Sequence, residues 1–189
     1  EKIKEIEERT KHDVKAVEIY LGGIFEKTSL KDLTESIHFG LTSYDINDIA
    51  FRIMLRTASA KVMFPNLDKL LTQFKLLSQR YKNLPMLART HGQSAVPTTL
   101  GKEIAVFASR LSSQLKLLNK VQFTGKLNGA VGNYNALHFS YPKIDWIKFS
   151  KNFVKSFNLE PNLITTQIDP YEDIIEYFQT IQRINGILL

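Results

Sequence analysis

Residues 46 to 81 read Ile46-Asn-Asp-Ile-Ala-Phe-Arg-Ile-Met-Leu-Arg-Thr-Ala-Ser-Ala-Lys-Val-Met-Phe-Pro-Asn-Leu-Asp-Lys-Leu-Leu-Thr-Gln-Phe-Lys-Leu-Leu-Ser-Gln-Arg-Tyr81. Within them Ala50, Ile53, Thr57, Ala60, Phe64, Leu67, Leu71, Phe74, Ser78 and Tyr81 recur in unbroken steps of three and four. A helix brings such positions onto one face, and this alternation is the heptad seam of helices packed nearly parallel in a bundle. The pattern predicts one long helix from Ile46 to about Asn83. Pro65 removes one backbone donor inside it, so a kink is expected there rather than a break. The seam itself is scaffold, and the fold class it implies is all-α, a long-helix bundle.

The flanks carry the same period. Ile3, Ile6, Thr10, Val14, Val17 and Leu21 form a stripe that predicts a helix from Glu1 to Leu21, closed by Gly22-Gly23. Beyond the seam, Thr98 or Thr99 can cap a second long helix with Leu100, Ile104, Phe107, Ala108, Leu111, Leu115, Leu118 and Val121 on its apolar face. A shorter helix is expected over residues 145–158. Asp169 as N-cap, Pro170 as first helical residue and Glu172 as capping-box partner should open a last helix. Its apolar face, Ile174 to Leu188, continues to the end of the chain.

Length and composition narrow the function classes. A chain of 189 residues can bury one good core. It has no run of 18 apolar residues and no basic segment leading into an apolar one, so neither a membrane span nor a signal peptide is expected. The absence of cysteine rules out disulfides and thiolate metal sites and fits a reducing, cytoplasmic setting. The net charge of +6 is scattered rather than drawn into one tract, which suits a small polyanion as well as a nucleic acid. Glu1 in place of an initiator methionine suggests a trimmed start.

Polar residues that could carry chemistry gather at the mouths of these helices. Leu87-Ala-Arg-Thr-His-Gly-Gln-Ser-Ala-Val-Pro-Thr-Thr-Leu-Gly-Lys-Glu103 lies between two helical patterns and reads as a loop on a rigid scaffold. His91 within it can give or take a proton near neutral pH. Equally, it could only bond backbone. Thr42, Ser43 and Asp45 suit the start of the heptad helix as caps, and the same N–H-rich helix mouth is a seat for an external carboxylate. His12-Asp13 taken alone reads as a solvated pair. Gly125-Lys-Leu-Asn-Gly-Ala-Val-Gly-Asn-Tyr-Asn-Ala136 lacks the order of a phosphate-binding loop and reads as tight turning at a helix junction. Gln167 offers a free amide just before the last helix.

Four separated segments, in order, resemble the adenylosuccinate lyases of the fumarase/aspartase superfamily. These are Thr10-Lys-His-Asp-Val14, Thr42-Ser-Tyr-Asp45, Arg89-Thr-His-Gly-Gln93 with Thr98-Thr-Leu-Gly-Lys-Glu103, and the run around Gln167. The Gly129-Ala-Val-Gly-Asn133 segment resembles the bacterial-type members. Ser94 and Tyr171 depart from the pattern, which usually has proline and histidine there. The resemblance implies the central helical domain of such an enzyme, truncated at both ends, with residues 1–39 closing an N-terminal domain and 40–189 opening the central bundle. It implies β-elimination of fumarate from adenylosuccinate to leave AMP, and from the succinylated aminoimidazole carboxamide ribotide, in purine biosynthesis. His91 would be the acid; Thr42, Ser43, Thr90 and Gln167 would grip the fumarate portion; His12 and Asp13 would face the purine. No metal or other cofactor is called for. The serine loop of the superfamily would come after Leu189, so this chain alone is expected to be inactive.

The roughly 37 residues between Ile46 and Lys82 would span about 55 Å as helix, at ~1.5 Å each. If both serve one site, the Thr42-Ser43 and His91 clusters then cannot meet on one small substrate within one chain and must come from different subunits; the resemblance implies a homotetramer with shared sites. The competing expectations are another lyase of the superfamily, such as an argininosuccinate lyase or a fumarase, and a non-catalytic helical assembly module that binds nucleic acid through its charge.

Overall fold

The heptad run is helical from Ser43 to Arg80 in the computed structural model, which describes residues 1–189. Helix α3 (Ser43–Ala58) passes through a single π turn (Ser59–Met63) into α4 (Phe64–Arg80). The π turn is the helix's answer to Pro65. Proline has no N–H to return to Lys61, so the ladder widens by one residue and Phe64 N–H bonds Ser59 O instead. The Ser59 hydroxyl caps the Leu55 carbonyl at 2.6 Å. The helix is thus irregular beside the proline and unbroken, as its pattern implies.

Eight α-helices and two small two-stranded sheets make up the chain, so the fold is helical as expected. The helices still to be placed are α1 (Lys2–Thr10), α2 (Asp13–Phe25), α5 (Leu100–Leu118), α6 (Asn135–Ser140), α7 (Trp146–Ser156) and α8 (Glu172–Leu188). A 3-10 turn occupies Lys31–Ser36. No helix is long and apolar enough to cross a membrane.

The residues fall into two compact units, 1–53 with 123–170 and 54–122 with 171–189. The first is built on α1, α2, the start of α3, α6 and α7, and buries Val14, Ala16, Ile49, Phe123, Leu127, Leu137, Val154 and Leu159. Strands β3 (Thr124–Gly125) and β4 (Glu160–Pro161) pair in parallel across it. The second packs α4, α5 and α8 around Leu71, Ala108, Leu111, Leu115, Leu118, Tyr177, Ile184 and Ile187. Gly101 sets the spacing of α4 and α5: a Cβ there would lie 2.3 Å from the Ser78 carbonyl oxygen. Thr99 caps α5 by accepting from Lys102 N–H at 3.2 Å.

Five expectations need correction. The first helix is two: Lys11 turns left-handed at φ 54 and His12 is extended, because His12 caps the helix that follows. Gly22-Gly23 does not end α2, which continues to Phe25 with Gly22 buried inside it. The stretch 87–103 is not a loop. Strands β1 (Pro85–Thr90) and β2 (Gln93–Thr99) form an antiparallel hairpin that runs directly into α5. Asp169 does not cap α8, which opens at Glu172 behind Tyr171. Its carboxylate turns inward and is fully buried. The seam is also incomplete as core: Leu71 is buried, while Thr57 and Ala60 remain exposed.

Candidate functional site

Two helix mouths meet in the first unit. His12 is the N-cap of α2, and its Nδ1 accepts from Lys15 N–H at 3.3 Å. An accepting Nδ1 carries no proton in a neutral imidazole, so the proton sits on Nε2. That nitrogen lies 3.3 Å from Ser43 Oγ at the start of α3. With the ring donating to it, the Ser43 hydroxyl keeps its own hydrogen for a ligand oxygen.

Asp13 is held beside this pair. Its Oδ1 accepts from Val14 N–H at 2.7 Å and its Oδ2 from Asn47 Nδ2 at 2.9 Å. The Val14 N–H first, then the Asn47 amide, hold its carboxyl below the usual carboxylate range, with His12 adding a little. Asp13 therefore remains an acceptor. Asn47 lies one helical turn beyond Ser43 and is the residue that turns it toward α3.

Gln167 completes the cluster: its Nε2 donates to Thr42 Oγ1 at 3.4 Å. His12, Asp13, Thr42, Ser43 and Gln167, drawn from three separated stretches, are thus linked around the N-termini of α2 and α3. Helix N-termini carry unpaired N–H groups and partial positive charge, which favours an anionic ligand.

Below this surface lies a buried polar layer. Asp45 reaches back to Thr42 N–H at 2.9 Å, one half of a capping box. It also accepts from Asn128 N–H at 3.0 Å and Gly129 N–H at 3.1 Å, and pairs with Lys126 at 2.8 Å. The glycine-rich segment thus turns around a carboxylate of the chain itself and not around a phosphate. Gly129 and Gly132 sit at φ 81 and φ 80, and a Cβ on Gly132 would fall 2.1 Å from the Thr165 carbonyl oxygen. Further along α3, Arg52 is completely buried between Asp48 and Asp169, 3.5 Å from each, and donates to the Pro170 carbonyl at 3.0 Å. Asp169 accepts from Thr124 Oγ1 and Asn162 Nδ2, both at 2.8 Å, and its own N–H donates to Asp48 at 2.7 Å. Burial pushes the Asp48 carboxyl up, against the pull of the Asp169 N–H and Arg52.

Sequence reasoning did not single out Asn47, Lys126 or the Asp48–Arg52–Asp169 set. A signal for part of it existed. Asp45, Asp48 and Arg52 step by three and four on the same face as buried Ile49, so charged residues share a core stripe. Charges at core positions are there for each other.

The second unit carries Thr90 and His91. Thr90 pairs with Gln93, and His91 and Gly92 form the two-residue turn at φ 52 and φ 71. Positive φ at both positions gives the twist that matches paired strands. Leu100 N–H and Gly101 N–H bond the Leu84 and Tyr81 carbonyls at 3.0 Å, tying the hairpin base to the helices. The register shifts between Leu87 and Arg89. His91 is exposed at the tip, presented by a short arm with defined geometry.

A family model described as Lyase matches residues 1–189, and the chain belongs to that lyase family. Within it, the chain is similar to curated adenylosuccinate lyases. It is 47% identical over 189 residues to the one from Haemophilus influenzae and 46% identical over 189 residues to the one from Escherichia coli, covering 100% of this chain in each case. The chain spans about 41% of the length of these relatives. Among solved structures, a fumarate lyase from Mesorhizobium sp. matches with a TM-score of 0.83 at 20% identity, over 99% of this chain and 42% of that one. A β-carboxy-cis,cis-muconate cycloisomerase from Acinetobacter calcoaceticus matches with a TM-score of 0.82 at 24% identity, over 99% of this chain and 42% of that one. These two likenesses establish the fold alone.

Proposed function

We propose that this chain is part of an adenylosuccinate lyase, a C–N lyase that eliminates fumarate from adenylosuccinate to leave AMP and acts in parallel on the succinylated aminoimidazole carboxamide ribotide. The carrying observation is the hydrogen-bonded cluster of His12, Asp13, Thr42, Ser43 and Gln167 at two helix N-termini. The 47% identity to a curated adenylosuccinate lyase supports it. In this reading Thr42, Ser43, Gln167 and Thr90 hold the fumarate half through donors suited to carboxylates. His12 and Asp13 face the purine. A base takes the Cβ proton, electrostatic donors stabilise the doubly charged carboxylate that forms, and the C–N bond breaks as His91 protonates the leaving nitrogen. Side chains supply both the acid and the donors, so the reaction asks for no metal or other cofactor.

The same reading makes the protein a cytoplasmic homotetramer of purine biosynthesis, its sites shared between subunits. Large apolar residues left exposed on the long helices, among them Met54, Val62, Leu76, Phe107 and Phe178, support further helix packing. The division at residue 39 into the end of an N-terminal domain and the start of a central bundle belongs to this proposal too.

The test is a substrate panel on a protein of the relatives' full length containing these residues. Adenylosuccinate and the ribotide should both release fumarate, detected by its absorbance. Turnover of argininosuccinate or malate in their place would assign another lyase reaction. Salt-dependent DNA binding without any turnover would favour the assembly-module reading.

A further inference from the structure

Lys126 is fully buried in the glycine-rich segment, yet its ammonium is fully used. Nζ lies 2.8 Å from Asp45 Oδ1, 2.7 Å from the Gln167 carbonyl oxygen and 3.3 Å from the Gly129 carbonyl oxygen. Three acceptors match three ammonium hydrogens. They come from three pieces of chain: the first turn of α3, the segment before Pro170, and the glycine-rich turn. Two of those pieces carry cluster residues. Asp45 holds the Thr42 N–H, and Gln167 is itself a member of the cluster.

A buried ion pair is not needed for stability as such, since apolar replacements of similar volume are often as stable. What the ammonium does that an apolar side chain cannot is fix the Gln167 main chain relative to the mouth of α3. The neighbouring restraints act elsewhere on that segment. Asn128 Nδ2 bonds Thr165 Oγ1 at 2.8 Å, and Gly132 packs against the Thr165 carbonyl. Lys126 alone of these side chains bonds Gln167 itself.

We propose that Lys126 is a positioning residue: through Asp45 and the Gln167 carbonyl it holds the Thr42 hydroxyl and the Gln167 amide as one preset grip for a ligand carboxylate. The inference rests on the reading that Thr42 and Gln167 bind the fumarate half of the substrate. It adds that their spacing is set from beneath by a cation that never touches substrate.

The test uses the full-length enzyme and two variants. Lys126→Arg keeps the charge, but its planar fork cannot replace a compact ammonium among three acceptors. Lys126→Met combined with Asp45→Asn removes both charges and so leaves no unpaired ion buried. Thermal melting reports the fold, and inhibition by fumarate and by AMP reports the two halves of the site separately. In both variants KM for adenylosuccinate and the fumarate inhibition constant should rise together by roughly 10–100-fold, the cost of a displaced hydrogen-bonding pair. The AMP inhibition constant should stay within about threefold. A purely structural role would move both constants in step with the melting temperature. If either variant melts like the parent and keeps its fumarate constant, the inference is overturned. Gln167→Ala separates the two levels of the argument. A normal fumarate constant in that variant sinks the reading of the site, and the positioning role with it. A raised constant there, with Lys126→Arg unaffected, sinks the positioning role alone.

Discussion

Ser43 Oγ stands 3.3 Å from His12 Nε2, while the opposite nitrogen of the same ring caps α2 by accepting from Lys15 N–H. One imidazole thus joins two helix starts, and its two jobs can be separated by substitution. Asparagine is a good N-cap but too short to reach Ser43, so His12→Asn should keep α2 capped and lose the link. His12→Ala should lose both, at a cost of about 1 kcal/mol in stability. We expect His12→Asn to melt close to the parent and to bind substrate as poorly as His12→Ala. Equal destabilisation of the two variants, measured in urea, would show that the ring does not act as a cap.

The carboxyl of Asp13 is held low by the Val14 N–H and then by the Asn47 amide. A carboxyl whose folded value is depressed adds stability above its unfolded pKa of roughly 3.9 and loses that contribution as pH falls through the folded value. Asn47→Leu removes one of the two donors and should move the Asp13 midpoint upward, so the contribution is smaller and is used up at a higher pH. Carbon NMR of the side-chain carboxyl reads this directly. An unmoved midpoint would mean that Asn47 does not engage Asp13 in solution.

Arg52 lies between the carboxylates of Asp48 and Asp169, and all three are completely buried. Arg52→Met should cost about 3–5 kcal/mol near neutral pH, because it leaves buried charge without its partner. The deficit should be pH-dependent with a definite sign. Burial already raises the Asp48 pKa, so the folded state binds that proton more readily than the unfolded chain, and protonation favours the fold as pH falls. Without Arg52 this effect grows, and the deficit should shrink on going from about pH 8 to about pH 5. Urea unfolding at a series of pH values checks it; a constant deficit would argue against carboxylate protonation in the variant.

These networks mark the limit of what the sequence discloses. The apolar period of residues 46–81 is legible because every third or fourth position repeats one physical requirement, and the helix runs as that period implies. Thr42 and Ser43 are legible because a helix start leaves N–H groups for hydroxyls to meet. His12 is not, since the apolar stripe of residues 3–21 runs past it as if through one helix, and Gln167 lies at the mouth of α3 rather than of the helix that follows it. The hairpin at 85–99 is not, since its strands are short and mostly exposed, and Arg89, Thr90 and Gln93 give no alternating apolar face. The turn at His91-Gly92 is the available clue, because a residue tolerant of left-handed backbone followed by glycine suits a two-residue turn. Asp169 misleads for a different reason. Before proline it has the signature of a cap, and only the distant Thr124, Asn162 and Arg52 draw it inward.

His91 occupies a left-handed turn position at φ 52, so its replacement has to respect the backbone before it can report on chemistry. Asparagine adopts that conformation more readily than alanine. His91→Asn should therefore preserve the hairpin and still remove the imidazole that the proposed function makes the proton donor. In the full-length enzyme turnover should fall by about 10²–10⁴-fold, with much less change in KM, because a group that protonates the leaving nitrogen acts mainly in the transition state. Near-normal turnover with a raised KM would make His91 a binding residue.

Assembly of the site gives the last prediction. The helical run from Ser43 to Arg80 is continuous, and at ~1.5 Å per residue a helix of this length measures about 55 Å. A π turn beside a proline deflects a helix but does not fold it back on itself. Under the proposed function one active site uses both Ser43, at the start of this run, and His91, after it in sequence, and we propose that they come from different copies of the chain. Closed symmetry, with helices of neighbouring copies running antiparallel, makes several equal sites of this kind. Inactive Ser43→Ala enzyme, unfolded and reassembled with inactive His91→Asn enzyme, should then regain activity, because some mixed sites receive both unaltered residues. His12→Gln should complement His91→Asn in the same way, since His12 contacts Ser43, whereas His12→Gln with Ser43→Ala should fail. Native mass spectrometry identifies the mixed oligomers. If those oligomers form and stay as inactive as both parents, the residues act within a single chain and the shared-site arrangement is wrong.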